Sequence, residues 1–221
     1  MSHIQLKQKA KSLFTGHYGF FFIMFSPYWI LSFIGNSINY RFNLHHFPGI
    51  YNHNLDLSRG DNIGSLFIFL AYLLMVGISF VCIDSFRNKA DFQKPFLKAF
   101  SLFTNAKYFW GAIWIGLLKI IWTFLWSLLL IVPGIIKSIA YSQAVFIYRD
   151  AIDKNQPLGY IQAVTESRRL MVGHKWNYFW LNLTFIGWWI LSALTLGLVG
   201  LFWVTPYYHL ALANFYHRLK D

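Results

Sequence analysis

Acidic residues are scarce in this sequence. Its 221 residues include only eight Asp and Glu against 19 Lys and Arg, and charged residues make up 12% of the chain. Soluble domains carry about a quarter charged residues, so the composition argues against a soluble globular domain. Cysteine is scarcer still. Cys82 is the only one, which excludes an intrachain disulfide framework and a CxxC metal site.

Apolar and aromatic side chains take the place of the missing charges. The chain is 57% hydrophobic and 21% aromatic, it contains ten Trp, and its mean hydropathy is +0.43. A soluble fold of this size could not bury so much apolar surface. The composition therefore predicts an integral membrane protein.

The sequence also lacks the motifs of common enzymes. It has no GxSxG, no HExxH, no Walker loop and no dinucleotide fingerprint. The three histidines His45, His46 and His53 have a spacing that matches no standard zinc site. We therefore expect no catalytic residues, no metal and no cofactor, and we expect that the protein is not an enzyme.

Six apolar runs are candidates for membrane-spanning helices, which need roughly 17–25 mostly apolar residues. They cover residues 18–36, 63–83 and 109–132, a shorter run that ends at Tyr148, and residues 178–196 and 197–216. The predicted fold class is an all-α polytopic membrane protein with six transmembrane helices as three hairpins. A single integral membrane domain then covers residues 1–221.

The distribution of basic residues predicts the orientation in the membrane. Of the 19 Lys and Arg, all but Arg41, Arg59, Lys119 and Lys137 fall in the N-terminal segment, the second and fourth connections or the C-terminal tail. Because cytoplasmic loops carry an excess of Lys and Arg, we expect both termini in the cytoplasm and an extracytoplasmic loop over residues 37–62. This pattern favours a topological role for the charge, so we expect no nucleic-acid partner.

A short pattern recurs just before three of the apolar runs. Residues 10–20 read AKSLFTGHYGF, residues 99–109 read AFSLFTNAKYF, and a weaker version, SRRLMVGHKWNYF, covers residues 167–179. We expect three copies of one unit, in which a basic amphipathic segment precedes a helical hairpin. The first segment is a basic cytoplasmic helix over residues 1–16.

The third segment is a cytoplasmic amphipathic linker over residues 150–176. Its apolar residues recur at helical spacing, and Arg168 and Arg169 take the polar side. We expect this helix to lie in the headgroup plane, where its cations meet anionic lipid. An ordinary solvated connector helix would have the same pattern.

Lys119 is the most unusual residue of the sequence. It lies in the middle of WGAIWIGLLKIIWTFLWSLLLIVPGIIK, residues 110–137, and no span contains a carboxylate to pair with it. A charge at the bilayer centre costs about 2.5–3.5 kcal/mol on insertion scales, so an intramembrane lysine is a functional hypothesis. It could receive a lipid phosphate or a substrate carboxylate, or it could snorkel to the inner headgroups.

Four other cations are candidates for contact with a ligand or a lipid headgroup. Lys137 lies one turn after Pro133 and Gly134, where we expect it near the outer surface as an anchor, and the linker supplies Arg168, Arg169 and Lys175. Pro133-Gly134 is interpreted as a turn, and Pro206 as a helix break that frees the carbonyl near Phe202.

Several stretches in the C-terminal part resemble a known family. They are Pro133, Gly134, Lys137 and Tyr141; Ser167, Leu170, Met171, Gly173 and Lys175; Phe185, Ile186, Gly187 and Trp188; Thr195, Gly197 and Gly200; and Pro206, Tyr207, Phe215 and Tyr216. Together they resemble the bacterial integral-membrane family catalogued as domain of unknown function 975. The resemblance is strongest from about residue 95 onward, and it implies a bacterial membrane protein but no activity.

The expected function follows from the charge and the spans. We expect a non-enzymatic module in the bacterial cytoplasmic membrane that engages anionic lipid, a membrane protein partner or a second copy of itself through its basic cytoplasmic face. The alternative is a small-molecule or lipid transporter, with Lys119 and Pro206 lining a path. That alternative predicts a polar cavity between spans three, four and six, lined by Thr123, Ser127, Ser138, Ser142 and Gln143.

Overall fold

The computed structural model describes residues 3–45, 58–87, 89–156 and 158–220. This part of the chain is helical and contains no strand. The helices are α1 (His3–Gly16), α2 (Tyr18–His45), α3 (Ser58–Phe86), α4 (Pro95–Lys98), α5 (Ala106–Leu129), α6 (Ile131–Ala140), α7 (Ala144–Asp153), α8 (Tyr160–Leu170), α9 (Lys175–Leu183), α10 (Ile186–Leu194) and α11 (Thr205–Lys220). A 3₁₀ turn (Ser101–Thr104) precedes α5, and a π-helical segment (Gly200–Val204) precedes α11.

Four segments of the described residues are long and apolar enough to cross a membrane. They are Tyr18–Asn39 in α2, Ile63–Phe86 in α3, Ala106–Leu128 in α5, and Ile131–Asp153, which combines α6 and α7. The fifth predicted span is divided between α9 and α10, which are each nine residues long and are separated at Thr184 and Phe185. The sixth corresponds to a π-helical segment of five residues followed by the 16-residue α11. The described part of the protein is therefore all-helical with four candidate membrane-spanning segments.

The segment predicted as the extracytoplasmic loop is partly helical. α2 continues through residues 37–45, and α3 begins at Ser58. Residues 46–57, which include His46 and His53, lie outside the described residues. α2 and α3 pack closely along their lengths, and Gly35 and Gly64 allow this approach. A Cβ atom on Gly35 would lie 2.9 Å from the Gly64 carbonyl oxygen.

The turn predicted at Pro133-Gly134 lies three residues earlier. α5 ends at Leu129, Leu130 is extended with φ −161° and ψ 145°, and α6 begins at Ile131. Pro133 is thus in the first turn of α6, where a proline costs little because its missing N–H has no intrahelical partner. Gly134 is buried against α5, since a Cβ there would meet the Ser127 hydroxyl at 2.2 Å.

Pro206 marks a change of helix type and does not end a helix. The π-helical segment runs into α11, and the Thr205 hydroxyl donates to the Gly200 carbonyl over 2.8 Å. Proline removes the donor for the carbonyl four residues earlier, which is that of Phe202. The Tyr18 hydroxyl of α2 lies 3.5 Å from that carbonyl oxygen. The backbone group that the sequence predicted to be free therefore faces a donor from another helix.

Three short segments dock on other helices by different contacts. α1 packs on α11, the 3₁₀ turn packs on α3, and α8 packs on α7. Asn214 of α11 donates to the Leu6 carbonyl of α1, Ser101 of the 3₁₀ turn donates to the Gly77 carbonyl of α3, and Ser167 of α8 donates to the Ala140 carbonyl of α6. The arrangement as three copies of one unit stays a prediction.

This docking corrects the expectation for the amphipathic linker. α8 buries Ala163, Val164 and Ser167 against the protein, whereas Ile161 is 64% exposed. Its apolar side therefore packs mainly on α5 and α7, and the helix does not lie on lipid alone.

Candidate anion-binding cavities

The five candidate cations lie at three different places. Lys137 and Arg168 line one cavity with Lys175 nearby, Lys119 lines a second cavity, and Arg169 lies outside both. The first cavity is called the tryptophan pocket below, and the second is called the central cavity.

The tryptophan pocket has a volume of about 250 Å³ and lies between α5, α6 and α8. Its walls are Trp122, Trp126, Lys137, Tyr141, Ile161, Val164, Thr165 and Arg168. The Lys137 ammonium lies 4.1 Å from the centre of the Trp126 ring, which is a cation–π contact. Trp122 is 42% exposed at the edge of this pocket.

The docking of α8 brings Arg168 to Lys137. Because the two side chains line one pocket, the expectations that Lys137 lies near the outer surface and that Arg168 lies on the cytoplasmic side do not both hold. The Ser167 hydroxyl donates to the Ala140 carbonyl over 2.8 Å and accepts from the Gln143 amide over 3.2 Å. Both partners belong to the junction between α6 and α7. Ser167 thereby fixes its neighbour Arg168 beside α6, and the charges of Arg168 and Lys175 act on Lys137.

The charges of the tryptophan pocket have one sign. No Asp or Glu of the described residues lines it, and Lys137 and Arg168 have no carboxylate partner there. Glu166 is close in sequence, but it accepts from Arg169 over 2.7 Å on the exposed side of α8. Two or three cations beside aromatic rings are suited to an anionic oxygen group, such as a phosphate.

The central cavity has a volume of about 220 Å³ and is lined by six parts of the fold. α3, α5, the junction between α6 and α7, α7 itself, α9 and α11 all contribute to it. Its polar lining is Tyr72, Ser79, Lys119, Ser142, Gln143, Tyr178 and His209. The alternative hypothesis predicted Ser142 and Gln143 here. Thr123, Ser127 and Ser138 do not line this cavity.

Lys119 and Gln143 of the central cavity each have a polar atom without a partner within the described chain. The Lys119 ammonium makes no hydrogen bond or ion pair there. Gln143 is 2% exposed, and its Nε2 donates to the Ser142 hydroxyl over 2.7 Å, but its Oε1 is buried without a donor. Buried polar groups are normally hydrogen-bonded, so this pair points to a guest that brings both an acceptor and a donor.

A third charged group, the Asp150 cluster, is saturated by contrast. The buried carboxylate of Asp150 accepts from Arg87 over 2.8 and 2.9 Å, from the Tyr216 hydroxyl over 2.7 Å and from Lys220 over 3.0 Å. The hydrogen bonds to Asp150 raise the pKa of Arg87 above its ordinary value, so Arg87 stays charged. This cluster joins the end of α3 to α7 and α11, and its four hydrogen bonds match the accepting capacity of one carboxylate.

Neighbouring charges reinforce the same junction. Arg149 donates to the Phe80 carbonyl over 2.9 Å and pairs with Asp84, and Tyr108 donates to Asp153. Opposite charges lie close together at the ends of two apolar runs, Asp84 near Arg87 and Arg149 next to Asp150. In the structure they pair between the runs, Arg87 with Asp150 and Arg149 with Asp84. Sequence proximity alone could not give these partners.

The described residues contain no group of three or more His, Cys, Asp or Glu side chains that could hold a metal ion. The His45, His46 and His53 side chains lie outside the part of the chain on which this statement rests.

The comparisons with known proteins give one family match. Residues 128–221 match the model of a family described as a protein of unknown function, DUF975. This range contains Lys137, Arg168 and Lys175 and all the stretches on which the resemblance was based, but not Lys119. No curated protein and no solved structure matches the chain. The match supports the resemblance to the DUF975 family for the C-terminal part of the chain, which is less than half of its length.

Proposed function

We propose that this protein is a non-enzymatic module of the bacterial cytoplasmic membrane that binds anionic lipid through the tryptophan pocket. The observation that carries the proposal is the convergence of Lys137 and Arg168, without a carboxylate, beside Trp122 and Trp126. Trp residues favour the membrane interface, and cations near an anionic membrane surface gain about 1 kcal/mol each. A lipid phosphate in this pocket would contact both cations while its chains lie along the apolar face of α5.

The surroundings of the pocket support a lipid as the ligand. Leu128, Leu130, Ile131 and Val132 at the junction of α5 and α6 are each at least 66% exposed. No charged residue lies between Lys119 and Lys137. Such an apolar surface is stable in hydrocarbon and unstable in water. A membrane protein partner or a second copy of the chain could cover part of it, and would then be an additional contact beside the lipid.

The proposed topology has six membrane-inserted segments in three hairpins with both termini in the cytoplasm. The four long apolar segments and the distribution of Lys and Arg support it. The test uses a Cys82→Ala background with single cysteines. Lys154→Cys should react with a membrane-impermeant maleimide only after permeabilisation, and Asn54→Cys should react in intact cells. The reverse labelling would contradict this orientation.

Lipid binding is tested by the thermal stability of the protein in uncharged detergent as lipid is added. Phosphatidylglycerol should raise the melting temperature of the wild type more than phosphatidylcholine does. Arg168→Ala should lose most of that difference, whereas Arg169→Ala should keep it. Arg169 is a matched control because it has the same charge and lies on the same helix, but pairs with Glu166. Equal responses of the two variants would contradict the proposal.

A transporter is the second candidate, and the central cavity favours it. The polar groups between α3, α5, α9 and α11 could bind a substrate partway across the membrane. Transport predicts that proteoliposomes accumulate or release a solute, and that Lys119→Met abolishes this flux. Lipid binding alone predicts no flux in either protein.

A further inference from the structure

The central cavity differs from the tryptophan pocket in place and in chemistry. Six parts of the fold line it, and the residue that brings a charge to it, Lys119, extends from α5. Lys119 and Lys137 line separate cavities, so the two lysines do not share a ligand. A ligand in the central cavity would therefore be independent of the lipid proposed above.

The free polar groups define what the cavity would accept. Lys119 offers a donor with a positive charge, and Gln143 offers the unpaired acceptor Oε1. Ser79 and Ser142 already donate to the carbonyls of Met75 and Ile139 over 2.8 Å. No carboxylate of the described residues lines the cavity. An anionic group would thus meet a cation without competition.

The size and the remaining walls restrict the ligand further. A volume of about 220 Å³ is roughly seven times the 30 Å³ that one water molecule occupies in the liquid. This excludes a whole phospholipid but admits an acidic group with several carbon atoms. Apolar side chains such as Met75, Val76, Phe146 and Leu212 complete the wall. Tyr72 also lines the cavity and is 44% exposed, so the cavity reaches the surface of the protein there.

We propose that the central cavity is a binding site for a small amphiphilic acid, with its carboxylate or phosphate on Lys119 and a hydroxyl or other donor of the same ligand on Gln143 Oε1. The acidic group could belong to a free small molecule or to the end of a short-chain lipid. In both cases Lys119 would be a ligand-binding residue, and its charge would be compensated only by the guest.

The experiment measures binding of two probes to the full chain in uncharged detergent by isothermal titration calorimetry. The probes are 3-hydroxyoctanoate, which has the acid, the donor and an apolar tail, and inorganic phosphate, which lacks the tail. The wild type should bind 3-hydroxyoctanoate. Comparable binding of phosphate would assign the site to free small anions, and preference for the hydroxy acid would assign it to an amphiphile.

Variants distinguish this site from the tryptophan pocket. Lys119→Met should weaken binding by about tenfold or more, since hydrogen bonds to charged groups contribute at least that much. Lys137→Met should not change it. Gln143→Glu keeps Lys119 but adds a carboxylate to the cavity, which would take the place of the acidic group of the ligand. This variant should therefore also lose binding. It provides a second test of the site in case Lys119→Met does not fold.

Two results would overturn the proposal. One is wild-type protein that binds neither probe, and the other is Lys119→Met that binds as well as the wild type. Neither result affects the test of lipid binding, which depends on Arg168 and Arg169.

Discussion

The Asp150 cluster and the two cavities both contain Lys or Arg side chains, but they differ in whether a carboxylate pairs with them. Around Asp150, cations from α3 and α11 converge on one carboxylate and fill its hydrogen-bonding capacity. In the tryptophan pocket and the central cavity, the cations face no carboxylate of the described chain. The Asp150 cluster is therefore a structural group whose charges are paired, whereas the cations of the two cavities are available to an anion from outside.

The largest expected effect is at the structural group. Asp150→Asn removes the charge that Arg87 and Lys220 share. Removing one partner of a buried ion pair costs about 3–5 kcal/mol, so we expect a large fall in melting temperature, measured by circular dichroism in detergent. Glu166→Gln is the control, because its pair with Arg169 is exposed and should contribute about 0–1 kcal/mol. Similar losses in both variants would show that the Asp150 cluster is no more structural than a surface pair.

The opposite result is expected at Lys119. Lys119→Met removes an uncompensated charge from an apolar segment, for which insertion scales give a cost of about 2.5–3.5 kcal/mol. The variant without added ligand should therefore melt at the same temperature as the wild type or higher. A fall in melting temperature as large as that of Asp150→Asn would mean that Lys119 stabilises the fold. It would contradict the difference proposed between the central cavity and the Asp150 cluster.

A smaller effect is expected from the aromatic wall of the tryptophan pocket. Trp126→Leu keeps an apolar side chain but removes the cation–π contact with Lys137, which is worth about 0.5–2 kcal/mol. The apparent affinity for phosphatidylglycerol should fall by a few-fold in a titration followed by thermal stability. Trp110→Leu replaces an exposed Trp outside the pocket and should leave the affinity unchanged. Equal losses would indicate a general interfacial effect.

The smallest effect is expected at Pro133. Because the chain leaves the helix at Leu130, and Pro133 lies in the first turn of α6, Pro133→Ala should change the free energy of unfolding by about 1 kcal/mol or less. Thermal unfolding of the two proteins checks this. A loss of several kcal/mol would show that the proline sets the turn after all.

Local features of this fold could be predicted from the sequence because they depend on neighbouring residues. The apolar runs predicted α2, α3 and α5, and the recurrence of SLFT predicted short segments before α2 and α5. The break at Leu130 could not be placed, since the apolar residues around it have no distinct preference and the packing of Gly134 on Ser127 decides it. Pro133 was the strongest local indication of a break, but it lies three residues after the actual break at Leu130.

The candidate cations could be picked from the sequence, but their grouping could not. The sequence alone shows an isolated charge within an apolar run, and this pattern indicates Lys119 and Lys137 as candidates. The meeting of Lys137 and Arg168 depends on Ser167, whose hydrogen bond to Ala140 joins two distant segments. The free Oε1 of Gln143 likewise appears only when α9 and α11 close the central cavity. Long-range contacts of this kind leave no periodic signal.

Binding of anionic lipid by the tryptophan pocket is tested most directly by native mass spectrometry. The protein is extracted from its own membrane in a mild uncharged detergent. Wild type, Arg168→Ala and Arg169→Ala should be compared at matched release energy. We expect that wild type and Arg169→Ala retain an anionic phospholipid, and that Arg168→Ala loses it. Equal retention by all three proteins, or retention of zwitterionic lipid alone, would contradict the claim that the unpaired cations form an anion site.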